Sequence, residues 1–102
     1  MRSVLQGNEE VLNKALAMVA VENTLFEVGP LAYETVAFLV NKKYHCGLTD
    51  CYEHPEYLIT ILKKLYGDSC IDIVESIREQ LEKFSHRKSI GIFVKTINQN
   101  SF

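Results

Sequence analysis

Long apolar runs are missing from this sequence. The longest, Ala15–Val21, falls far short of the ~20 residues that a membrane-spanning helix needs, so no membrane association is expected. The first residues, Met1–Gly7, are few and mixed in character and lack the pattern of a secretory signal. Cysteine is sparse as well: there are three, an odd number, with no Cys-x-x-Cys pair. Together with the missing signal, this argues for a reduced chain in the cytoplasm. Basic residues do not exceed acidic ones, at 11 Lys and Arg against 13 Asp and Glu, for a net charge of −2. That balance disfavours nucleic acid as the main partner, because phosphate contacts require a basic surface. Internal repeats, low-complexity tracts and long linkers are also absent. The expectation is therefore a single domain over residues 8–97.

What is present has the composition of a globular protein, 47% hydrophobic and 24% charged. Its apolar periods predict an all-α fold, a compact bundle of four main helices with a short fifth C-terminal helix. Helix one is expected to start at an Asn8 N-cap with Glu9 and Glu10 in its first turn, and to run to about Val28. Val11, Leu12, Ala15, Leu16, Val19, Leu25 and Phe26 populate one broad face, and Met1–Gly7 is expected to fray. Its middle is apolar all the way round. Such a helix is either the centre of the bundle or a homodimer face, and both readings stay open. Gly29-Pro30 suits a left-handed helix end followed by a proline at the first position of the next helix.

Helix two is expected over Pro30–His45, with Tyr33, Val36, Ala37, Val40 and Tyr44 in its stripe, Leu39 beside them and Phe38 on the wrong side. Helix three follows over Pro55–Tyr66. It buries Leu58, Ile61, Leu62 and Leu65, turns Glu56, Thr60, Lys63 and Lys64 to water, and is stopped by Gly67. Asp68 or Ser69 is expected to cap helix four, with Ser69 and Asp72 as a capping-box-like pair. In helix four Cys70, Val74, Ile77, Leu81 and Phe84 repeat with 4-3-4-3 spacing, two heptads and so a packed bundle helix rather than a coiled coil. Lys42-Lys43, Lys63-Lys64 and His86-Arg87-Lys88 are each read as cations near a helix C-terminus.

The tail, Ser89–Ile97, supports two periods. Ile90, Ile92 and Val94 alternate as in a strand; Ile90, Phe93, Val94 and Ile97 fit a helix. No second strand exists to pair with the first pattern, so a helix is expected despite Gly91. Asn98–Phe102 is expected to fray.

The stretch Tyr44–Glu56 concentrates chemistry-bearing residues. Cys46, Cys51 and His54, with His45 adjacent, have spacings tolerable for a zinc site, but a fourth ligand is uncertain and would have to be Cys70. A redox pair of Cys46 and Cys51 lacks a motif that would mark a reactive thiol. A structural corner accounts for more of the residues. Gly47 takes the left-handed position, where a β-carbon is expected to destabilise, and Leu48 packs back on the helix. Asp50 caps a short Cys51–Glu53 turn with Glu53 in the reciprocal position. His54 and Pro55 then open helix three, and the cysteines are buried plugs. No catalytic, cofactor-binding or metal-ligating residue is assigned, and no cofactor is expected.

The run Gly29-Pro30-Leu31-Ala32-Tyr33-Glu34-Thr35-Val36 is followed by Lys43-Tyr44, Asp50-Cys51, His54-Pro55-Glu56-Tyr57-Leu58 and Leu62-x-x-Leu65-Tyr66-Gly67. Over about Leu12–Leu81 this pattern resembles the Nitrosopumilus output domain family, small archaeal helical modules of signal-transduction proteins. The resemblance implies a non-catalytic signalling or interaction module with a protein partner. The chain departs from the multidomain members in carrying no receiver or sensor, which leaves a phosphorylation-linked role without support. The alternative is a small zinc- or thiol-dependent sensor using Cys46, Cys51 and His54. The expected function is a protein-contact module, with homodimerisation through helix one as one form.

Overall fold

A computed structural model describes the backbone of residues 2–101 and the side chains of residues 9–101. Five α-helices follow one another: α1 (Arg2–Val28), α2 (Ala32–Tyr44), α3 (Pro55–Tyr66), α4 (Cys70–Leu81) and α5 (Lys88–Asn100). Short 3-10 turns at Leu48–Tyr52, Gly67–Ser69 and Glu82–Phe84 join the later ones. No strand occurs among the described residues. The expected helical bundle is what forms, including the fifth helix.

At 1.5 Å per residue, α1 is about 40 Å long. It therefore runs nearly the whole 44 Å long axis of the molecule. Its inner face packs against α4, α2 and α5, while α3 lies against α2, α5 and α4. The core is one cluster from Ala17 to Ile97, with Leu25, Leu58, Ile61, Leu62, Ile77, Leu81, Ile90 and Phe93 among its largest members. Two buried polar residues of α1 clasp the ends of the bundle. Gln80 Nε2 donates to Thr24 Oγ1 at 2.7 Å, and Arg87 Nη1 donates to Asn13 Oδ1 at 3.2 Å. Each pairing removes the penalty that a lone buried polar group would carry.

Several local expectations are corrected. Asn8 is not an N-cap, because the helix already runs from Arg2, a segment whose weakest helix former is Gly7. That overturns fraying for Arg2–Gly7, while Met1 lies outside the described residues. Helix two starts at Ala32, not Pro30. Gly29 is not left-handed; Ala32 N–H donates to Gly29 O, which makes Pro30 and Leu31 the middle of a reverse turn. Pro suits the first central position of such a turn, since its φ is preset.

The expected Ser69–Asp72 cap does not form: Ser69 has helical dihedrals, φ −68° and ψ −12°, and makes no side-chain cap bond. The 3-10 turn before α4 carries the chain into the helix without that exchange. His86 and Arg87 lead into α5 and Lys88 is its first residue, so the cluster stands at a helix start, and Arg87 is held there by Asn13. Asn98–Asn100 are helical, and Ser101 is buried with its Oγ donating to Asn98 O, so the tail does not fray there. Phe102 is outside the described residues.

Candidate functional site

The corner between α2 and α3 forms by a different route from the one its sequence suggests. His45, not Gly47, takes the left-handed position, with φ 58° and ψ 39°. Its N–H donates to Asn41 O at 2.8 Å, and Asn41 Nδ2 donates to Cys46 O at 3.4 Å. Gly47 is extended, with φ −83° and ψ 164°. Its N–H donates to Asp50 Oδ2 at 2.8 Å while Asp50 N–H returns to Gly47 O at 3.0 Å. Asp50 therefore reaches backwards rather than capping a following turn, and Glu53 is free to pair with Lys14 of α1 at 3.2 Å. His54 and Pro55 open α3 as expected.

Leu48 and Cys51 plug the underside of this corner. On its outer side three rings stack in series. Tyr44 and Tyr57 are 3.8 Å apart and 5° from parallel, and His54 lies 4.7 Å from Tyr57. Lys43 Nζ sits 5.8 Å from the Tyr44 ring. With Lys14, Cys46, Asp50 and Glu53, these rings border a basin of about 530 Å³. The stack ties the end of α2 to the start of α3, a packing role.

The sensor alternative finds little geometric support here. Cys51 is fully buried, while the half-exposed His54 has its Nδ1 3.6 Å from Glu56. Among the described residues, no three His, Cys, Asp or Glu side chains gather where one metal ion could be held. All three cysteines are free thiols. Burial, then the nearby Cys46, Asp50 and Glu56, pushes the Cys51 thiol from 9.0 up to about 12. Cys46 is raised by desolvation and then by Asp50, and Cys70 by burial against an opposing pull from Lys63. Reactive thiols shift the other way.

The second feature is one that the sequence pattern misassigns. Ala17, Val21 and Leu25 form the inner face of α1, with Met18 and Ala20 beside them. Leu12, Val19 and Phe26, on the broad face read from the sequence, are 44%, 52% and 55% exposed, Phe26 stacks on Tyr33 of α2 at 5.2 Å, and Val11 and Ala15 also face outward. A groove of about 680 Å³ runs beside this face, with Ala15, Leu16 and Val19 on one wall and Leu81 and Phe84 on the other. Side-chain size does not separate the two faces: Ala15 faces outward with Val19, while Met18, Val21 and Leu25 are buried beside Ala17 and Ala20. A smaller exposed pair, Leu31 and Phe38, lies at and beyond the start of α2.

No helix among the described residues is long and apolar enough to cross a membrane. Comparisons with models of protein families, with curated proteins and with solved structures find no match.

Proposed function

We propose that this chain is a non-catalytic helical module of the cytoplasm that works through protein contacts, in the manner of a signal-transduction output domain. The observation that carries the proposal is the outer face of α1, where Leu12, Val19 and Phe26 stand at least partly exposed along one helix. Next to it lies a groove bordered by Leu16, Leu81 and Phe84 together with Glu79, Gln80, Glu82 and Lys83. Contiguous apolar surface of this kind on a small protein marks a place where something else binds. The resemblance to the Nitrosopumilus output domain family supports the same reading, and the free thiols suit a reducing compartment. At the α2–α3 corner Asp50 accepts from Gly47 N–H, Tyr44, Tyr57 and His54 stack, and Glu53 pairs with Lys14, all of them structural tasks.

The test places a photo-crosslinking side chain at position 19 in the cells that produce the chain, with position 60, on the exposed face of α3, as the control. A discrete protein adduct is expected from position 19 and none from position 60. Equal labelling at both positions, or none at 19, removes this assignment of the contact surface.

A further inference from the structure

We draw no further inference here: the strongest candidate, the cavity of about 370 Å³ lined by Glu10, Tyr52, Glu53, Glu56 and Ser89 where α1, α3 and α5 meet, is an acidic cluster whose carboxylates are already met by Ser89, Lys14 and His54, and nothing in the structure shows what else would occupy it.

Discussion

At the scale of single residues, the α2–α3 corner is held by backbone geometry that can be tested one substitution at a time. His45 carries a side chain at φ 58°, where an L-residue costs roughly 1–2 kcal/mol. His45→Gly is expected to raise stability in urea unfolding by about 0.5–1 kcal/mol. At Gly47 an added β-carbon meets Asp50 Oδ2 at 3.6 Å, an ordinary contact, in a backbone any residue adopts. Gly47→Ala should be neutral or up to ~1 kcal/mol more stable, through the unfolded chain. Gly67 has φ 54° and ψ −126°, with nothing within 4 Å of a new β-carbon. Gly67→Ala should therefore cost ~1–3 kcal/mol from the backbone alone. A reversed ranking of the two glycines would mean the corner is built otherwise. The sequence shows that a helix ends near residues 45–47, but not which residue turns left-handed. That choice follows from Asn41 bonding to Cys46 and Asp50 to Gly47, two contacts a cap motif centred on Gly47 does not anticipate. Cys51 adds a pH test. Its thiol ionises near 9.0 when exposed but only near 12 when folded, so its contribution is intact below pH 9 and is lost as pH rises toward 12. The expected slope is up to ~1.4 kcal/mol per pH unit, one proton's worth. Chemical denaturation across that window should show Cys51→Ala less stable at neutral pH and with a shallower alkaline decline.

At the scale of elements, a helix becomes legible when only one of its faces is apolar. In α4, Val74, Ile77 and Leu81 are buried at the spacing the sequence displays, and the α2 stripe at Val36 and Val40 is equally direct. In α3 Leu58, Ile61 and Leu62 are buried as expected, Leu65 only partly, and Ile59 is buried as well; a helix lying against α2, α4 and α5 is covered on more than one side. The tail could be read with either period, and the helix forms because Ile90, Phe93 and Ile97 all reach the core while Ile92 stays 55% exposed. That contrast sets a test of register. Phe93→Ala should lose ~3–5 kcal/mol, as large aromatic deletions in a core do, while Ile92→Ala should stay within about 0.5 kcal/mol. A strand with Ile90, Ile92 and Val94 inward would reverse the order. In α1 the apolar middle has no polar face to orient it. Small and large residues occur on both sides, with Ala17, Met18, Ala20, Val21 and Leu25 inward and Ala15 and Val19 outward. The inner face therefore follows from how α2, α4 and α5 pack on α1 rather than from the helix's own pattern.

At the scale of the whole molecule, α1 is the common wall. It runs close to the full 44 Å axis and touches α2, α4 and α5, so removing any of these strips apolar surface from the same helix. One continuous core from Ala17 to Ile97 leaves no sub-bundle with a core of its own. Unfolding should therefore be a single cooperative transition, with a urea slope of roughly 1–2 kcal/mol per molar. The chain has no tryptophan, so tyrosine emission is the tertiary probe, and the stacked Tyr44–Tyr57 pair spanning α2 and α3 makes it sensitive to loss of packing. Its midpoint should coincide with that of far-ultraviolet circular dichroism; separated midpoints would mean that part of the bundle folds alone. The outer face of α1 adds a concentration test to the same measurement. If two copies pair there, binding stabilises only the folded chain, and each tenfold rise in concentration above the dissociation constant adds about 1.4 kcal/mol per dimer. Val19→Glu should then abolish that dependence while leaving the dilute-limit midpoint close to native, because Val19 is already half exposed in the single chain. A midpoint lowered equally at all concentrations would instead assign Val19 to the stability of the fold.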